Sequence, residues 1–131
     1  NYRCGTGHSV SFVGNVHEGP HALNGRNTTL MRPGMIVTDE PGVYETDLVG
    51  IRIENELVCV HKADNQYGTF LGFEPIMFVP IATSPIVPGV LTKDELDWLN
   101  AYHREVFTKL APHLTEEERD WLAKKCAAIG A

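Results

Sequence analysis

The sequence has few cysteines, no long basic run and no long uninterrupted apolar run, and each shortage excludes a class of protein. The three cysteines, Cys4, Cys59 and Cys126, are odd in number and lie far apart. They show no C-x-x-C spacing, which argues against a disulfide framework and against a cysteine zinc site. Unpaired cysteines are typical of a reducing compartment, so we expect a cytoplasmic protein.

Charge and hydropathy set two further limits. The net charge is −6, and without a basic run this argues against nucleic acid as a partner. The most apolar region, Pro75–Leu91, is interrupted by Pro80, Pro85 and Pro88. No segment is therefore apolar over the length that spans a membrane, and we expect no membrane partner. The chain begins without an initiator methionine, which indicates a piece of a longer protein.

The first half of the chain carries histidines and carboxylates beside strand-like segments. Ile51–Val60 alternates and is rich in Ile and Val, which predicts a strand on which Arg52 and Glu54 share one face. Arg52 could then hold the carboxylate of Glu54 or a neighbouring one. Taken alone, the pair is more typical of a surface ion pair on an edge strand.

Glu40 follows a second predicted strand, Met35–Asp39. Pro41 ends that strand, because proline donates no ladder hydrogen bond and restricts the preceding residue to extended geometry. Glu40 is thereby held at a fixed angle at a strand end, where carboxylates often face a cleft. The alternative is a charged residue in an ordinary turn.

Two histidines lie upstream, in the strings GTGH (Gly5–His8) and NVHEG (Asn15–Gly19). The glycines of GTGH are predicted to give the backbone unusual angles beside His8. Histidine is the commonest metal ligand and the usual proton carrier near neutral pH. Imidazole and carboxylate groups beside apolar sequence are what a hydrolytic metal site requires.

Residues 17–21 also read H-E-x-x-H, the signature of helical zinc proteases. That motif needs a helix to bring its two histidines onto one face, and Gly19 and Pro20 both break helices. We predict instead that His17 ends a short strand and that residues 18–20 form the turn after it.

The second half of the chain is predicted to be strand-rich as far as Ile81 and then helical. Phe70, Phe73 and Phe78 are the expected core residues of its first part. Two helices are predicted from capping boxes that begin at Thr92 and Thr115. Two further histidines, His103 and His113, lie on or near these helices and are expected to be solvated or capping.

In this order, the strings GTGH, NVHEGP, GM-VT-EPG-Y and GIRIEN resemble the second half of the catalytic domain of Xaa-Pro aminopeptidase, a pita-bread metallopeptidase. GFEPIMFVPI and ELDWLNAYH resemble the tail of its longer forms. The resemblance implies an α+β fold, half of a pita-bread, with a curved antiparallel sheet and C-terminal helices. Residues 1–81 would be the C-terminal half of the catalytic domain, and residues 82–131 a helical extension packed on the same domain.

The resemblance also implies a site in which two divalent ions share five ligands. His8, Glu40 and Glu54 match three of these, and the two aspartate ligands would lie upstream. Mn(II) is the expected ion, with Co(II) or Zn(II) as alternatives. Glu40 would be both ligand and general base, with His8 and His17 as the other catalytic residues. Glu54 would bridge the ions, while His17, Arg52 and Tyr44 would bind the substrate or fix the carboxylates.

The implied activity is hydrolysis of the X–Pro bond of a peptide with proline at its second position. The full-length protein would be a homodimer, and the chain alone would be inactive because the two aspartates are missing. Ser9 and Ser11 replace glycines of the family, at a cost of about 1 kcal/mol each if a positive φ is needed. Cys4 stands where the family usually has histidine, and a buried structural cysteine is the expected reading.

These departures leave open a pita-bread module that has lost catalysis and binds peptides or protein partners. Metal-free hydrolysis of the creatinase type fits poorly, because it would not need all three metal-ligand positions to be filled.

Overall fold

The computed structural model describes residues 4–130. The contacts within the chain divide it into two compact units, one ending at Met77 and the other beginning at Phe78. The predicted domain boundary after residue 81 concerns the organisation of the whole protein, and it stays a prediction.

The first unit is an antiparallel β-structure. In its described part the strands are β1 (His8–Ser9), β2 (Glu18–Ala22), β3 (Ile36–Asp39), β4 (Gly42–Glu45), β5 (Val49–Arg52), β6 (Asn55–Asn65) and β7 (Gly68–Pro75). Five of them form one sheet in the order β2-β1-β3-β6-β7, while β4 and β5 form a separate hairpin. The curved antiparallel sheet implied by the sequence is confirmed.

Strand β3 occupies the centre of the five-stranded sheet and sets the position of everything around it. It pairs with β1 at Ser9↔Val37, and its last residue, Asp39, pairs with Asn55 on β6. Val37 and Thr38 are both buried, so this strand is covered on both faces. The chain that leaves β3 at Glu40 therefore starts from a fixed point.

The continuous strand predicted over residues 51–60 is wrong near its start. Strand β5 ends at Arg52 and β6 begins at Asn55, and the two belong to different sheets. Ile53 and Glu54 link them, and the Ile53 N–H donates to the Pro41 carbonyl at 3.3 Å. Arg52 and Glu54 therefore do not share a strand face, because the change of sheet interrupts the alternation between them.

The short strand near His17 is also displaced from its predicted place. Strand β2 begins after His17 and includes Gly19 and Pro20, which were predicted to form a turn. Because β2 is an edge strand, the missing N–H of Pro20 costs it no essential ladder bond. The segment is not helical, which confirms that the H-E-x-x-H string is no helical zinc motif.

The second unit contains α1 (Lys93–Leu110), a 3₁₀ turn (Ala111–His113) and α2 (Glu116–Lys125). Both capping boxes are confirmed, with Thr92 and Glu95 at α1 and Thr115 and Glu118 at α2. Hydrogen bonds from the cap residues, chiefly from their backbone N–H groups, lower the pKa of both glutamates. In residues 4–130 no helix is both long enough and apolar enough to cross a membrane.

The core of the second unit forms between the two helices and the segment before them. Tyr102, Val106 and Leu122 are buried together, and Phe78 and Ile81 pack against them. Phe78 is thus a core-packing residue as predicted. Phe70 and Phe73 are not, since they are 48 % and 40 % exposed on the edge strand β7.

His103 was expected to be solvated or capping, and this is wrong. Its side chain is fully buried, and Nε2 accepts a hydrogen bond from the Ile81 N–H at 3.1 Å. The proton of the neutral ring is therefore on Nδ1. Burial lowers the pKa of His103, because the charged imidazolium would have to give up its hydration.

Candidate metal centre

His8 and Glu40 meet at the point where β1 and β3 pair. His8 Nε2 lies 2.9 Å from Glu40 Oε1, and the two side chains are 20 % and 15 % exposed. The backbone fixes this approach, because the Glu40 N–H donates to the Thr6 carbonyl at 2.6 Å. The sheet therefore brings together two residues that are distant in sequence.

The other ring nitrogen of His8 defines how this pair can be used. Nδ1 lies 2.9 Å from the Ser9 carbonyl oxygen, which can only accept, so Nδ1 carries a proton. Nε2 would otherwise direct a lone pair at the carboxylate of Glu40. A proton between the two atoms, or a metal ion bound to both, would remove this repulsion. The observed geometry thus fits a metal-ligand pair.

His17 completes a cluster of three donors. Its ring lies 4.1 Å from that of His8 between centroids. His8, His17 and Glu40 each offer one ligand atom, and these three atoms lie within 4.8 Å of one another. Ligand atoms around one ion are at most about 4.2 Å apart, so a small inward movement would let the three share an ion. Within residues 4–130 this is the one such group of His, Cys, Asp and Glu.

The second carboxylate oxygen of Glu40 is held by Arg52. Arg52 Nη1 donates to Oε2 at 3.0 Å and also to the Glu40 backbone carbonyl. Arg52 Nε donates to the Tyr44 hydroxyl at 2.9 Å, and this hydrogen bond is the main cause that raises the pKa of Arg52. The β4–β5 hairpin thus carries Arg52 to the Glu40 carboxylate, and Tyr44 holds Arg52 from the same hairpin.

Thr38 is a residue of this site to which the sequence analysis gave no role, although it lies in the string GM-VT-EPG-Y. It is 2 % exposed, and its hydroxyl accepts from the His8 N–H at 3.0 Å and donates to Glu40 Oε1 at 2.9 Å. A signal was present in the sequence. Thr38 lies two residues before Glu40 in an apolar strand, the spacing that places side chains on one face.

Glu54 is not part of the cluster. It lies exposed in the link between β5 and β6, outside the three-residue group. Its role as a bridging ligand stays a prediction. Cys4, expected to be a buried structural cysteine, is half-buried and free.

The glycines of GTGH were predicted to adopt unusual backbone angles, and this is wrong, since neither Gly5 nor Gly7 has a positive φ. A Cβ added at Gly7 would lie 1.9 Å from the Thr38 carbonyl oxygen, so glycine is needed for close approach to β3. Ser9 and Ser11 do not adopt positive φ either, so the predicted strain does not arise.

Two family models match the chain. The model of metallopeptidase family M24 matches residues 1–61, and the model of the C-terminal region of peptidase M24 matches residues 69–129. Among curated relatives, aminopeptidase P2 of Arabidopsis thaliana is 47 % identical over 128 residues, with 92 % of this chain and 18 % of the relative covered. A probable Xaa-Pro aminopeptidase P of Coprinopsis cinerea is 42 % identical, and the match covers 98 % of this chain and 22 % of that relative.

A solved structure shows the same fold. The X-prolyl aminopeptidase of Caenorhabditis elegans, described as a cytosolic enzyme with a di-nuclear active site, superposes with a TM-score of 0.84 at 38 % identity. The match covers 95 % of this chain and 21 % of that one. The chain thus spans about a fifth of the length of the relatives that it matches.

Proposed function

This chain belongs to metallopeptidase family M24, and from that membership we propose that it is the C-terminal part of an Xaa-Pro aminopeptidase catalytic domain. The proposed substrate is a peptide with proline at its second position, and the bond hydrolysed is the one before that proline. One observation carries the proposal. His8 Nε2 approaches Glu40 Oε1 to 2.9 Å, with His17 beside them, in a geometry that suits a cation.

Two divalent ions are proposed for the complete site, with Mn(II) as the expected metal and Co(II) or Zn(II) as alternatives. Nitrogen and carboxylate donors suit all three ions. His8 and Glu40 would be ligands on this chain, together with Glu54 as implied by the family resemblance. The remaining two carboxylates would come from aspartates of the upstream part of the protein. When bound, such ions supply Lewis acidity and make water more acidic.

The residues of this chain would then handle the protons and the substrate. Glu40 would accept a proton from the attacking water and pass it to the leaving proline nitrogen, which departs as a secondary amine. Arg52 would keep the carboxylate oriented through Oε2, leaving Oε1 toward the centre. His17 is exposed beside His8, and it would donate a hydrogen bond to the substrate carbonyl as negative charge develops there.

The proposal extends to the location and assembly of the full-length protein. A cytoplasmic location is supported by the free cysteines Cys4, Cys59 and Cys126 and by the cytosolic relative. Homodimerisation of the full-length protein and the packing of the helical extension on the catalytic domain stay predictions.

The test uses the full-length protein, freed of metal by a chelator and reloaded separately with Mn(II), Co(II) or Zn(II). Cleavage of an Arg-Pro peptide is compared with that of an Arg-Ala peptide of equal length. We expect cleavage of the first peptide only, its loss in Glu40→Ala, and no turnover by the 131-residue chain alone. A full-length protein that binds metal and peptide without cleaving it would favour the non-catalytic binding module instead.

A further inference from the structure

We propose that Thr38 is a positioning residue whose hydroxyl sets the relation between His8 and Glu40 and so raises the affinity of the centre for a divalent ion. This inference rests on the proposed function, because it gives Thr38 a role in the same metal site. Thr38 is not among the predicted metal ligands or the predicted substrate-binding residues.

The directions of the two hydrogen bonds at Thr38 follow from the chemistry of its partners. The His8 backbone N–H can only donate, so the Thr38 oxygen accepts from it at 3.0 Å. The Glu40 carboxylate can only accept, so the hydroxyl proton points to Oε1 at 2.9 Å. A single hydroxyl group is therefore bonded to the backbone of one predicted ligand and to the side chain of the other.

This hydroxyl satisfies a backbone donor at the place where β1 and β3 pair. Strands β1 and β3 are paired at Ser9↔Val37, and the neighbouring His8 N–H is satisfied by the Thr38 side chain. Thr38 is 2 % exposed, so water has little access to the place of its hydroxyl. The residue thus lies where β1 delivers an imidazole and β3 delivers a carboxylate.

The consequence for metal binding follows from the freedom of a glutamate carboxylate. Its terminal torsion is broad, so hydrogen bonds decide which way its oxygens point. Thr38 fixes Oε1, the oxygen nearest His8, while Arg52 fixes Oε2. Without Thr38, Oε1 loses the donor that keeps it beside His8 Nε2. Loss of an outer hydrogen-bond partner of a metal ligand typically costs about 10- to 100-fold in affinity or activity.

The experiment compares Thr38→Val with Thr38→Ser in the full-length protein, titrated with Mn(II) alone. We expect Thr38→Val to bind Mn(II) about 10- to 100-fold more weakly, and Thr38→Ser to restore most of the affinity because it keeps the hydroxyl. Thr69→Val is the matched control. Thr69 also donates to a carboxylate, Asp64 Oδ1 at 2.7 Å, but outside the centre, so its Mn(II) affinity should not change.

Two further measurements separate positioning from general stability. In the metal-free protein, the His8 amide should exchange its hydrogen faster in Thr38→Val than in wild type, while amides of α1 and α2 should not change. With Mn(II) saturating, kcat should fall while KM changes little, because Thr38 orients Glu40 and does not contact the substrate. If Thr38→Val does not fold, Thr38→Cys retains a weak donor and should bind Mn(II) with intermediate affinity.

The outcomes for this inference and for the proposed function are distinct. Wild type that binds Mn(II) and cleaves X–Pro peptides, with folded Thr38 variants of equal affinity, would overturn the role of Thr38 alone. Wild type that neither binds Mn(II) nor cleaves these peptides would overturn the proposed function itself.

Discussion

The Gly7→Ala substitution tests whether the centre depends on the close approach of the GTGH string to β3. The added Cβ would lie 1.9 Å from the Thr38 carbonyl oxygen and 3.0 Å from the Cβ of Leu23. A Cβ is fixed by its own backbone and the Thr38 carbonyl oxygen is a backbone atom, so no side-chain rotation can relieve the contact. The two segments must separate by about 1 Å before a methyl group fits between them.

This displacement acts directly on the two predicted ligands. Residue 7 precedes His8, and Thr38 holds both the His8 N–H and Glu40 Oε1. A misplacement of about 1 Å in catalytic geometry can cost about 100-fold in rate. We therefore expect kcat/KM for an X–Pro peptide to fall by about two orders of magnitude. Overpacking should also lower the free energy of unfolding by about 1–3 kcal/mol.

Gly5→Ala is the matched control, because a Cβ at Gly5 would meet no atom of residues 4–130 within 4 Å. The assay measures peptide cleavage, Mn(II) affinity and thermal unfolding for both variants in the full-length protein. Gly5→Ala should behave as wild type in all three. If Gly7→Ala kept wild-type turnover and Mn(II) affinity, the close approach could not be what aligns the centre.

Three further predictions concern stability and metal dependence. Below about pH 6.5 the free energy of unfolding should decrease, because burial lowers the pKa of His103 below 6.5 and the unfolded chain then binds the proton more readily. His103→Gln can still accept from the Ile81 N–H but does not titrate, so urea denaturation at several pH values should show a weaker dependence; parallel curves would contradict this. Leu122→Ala should cost about 2–5 kcal/mol in urea denaturation, since Leu122 is 2 % exposed, whereas Leu48→Ala at an 80 % exposed position should change little. In the full-length protein, chelation should abolish X–Pro cleavage and Mn(II) should restore it; turnover that survives complete metal removal would argue for metal-free hydrolysis.

Several features could be predicted from the sequence because they depend on residues close together along the chain. A capping box needs only a threonine and a glutamate three positions apart, and both predicted boxes are present. Strand β3 ends where Pro41 forces it to end, which leaves Glu40 at the strand terminus. The family resemblance depends on short strings in a fixed order, and it too can be read without coordinates.

Other features failed at the sequence level because they depend on which strands pair. Alternation over residues 51–60 could not show that the chain changes sheets after Arg52, so the predicted strand face shared by Arg52 and Glu54 is wrong. Arg52 contacts Glu40 because the β4–β5 hairpin carries it there. His103 is buried because the segment that contains Ile81 packs on α1, and that segment lies outside the helix in the sequence.

By itself, then, the sequence determined the helix starts, the strand that delivers Glu40 and the family with its expected ligands, since each is encoded in local spacing. The tertiary structure decided that His8, His17 and Glu40 form the cluster, and that Thr38 and Gly7 set its geometry. The physical reason is that hydrogen bonds and close contacts between β1 and β3 join residues about thirty positions apart, and no local pattern records such a separation.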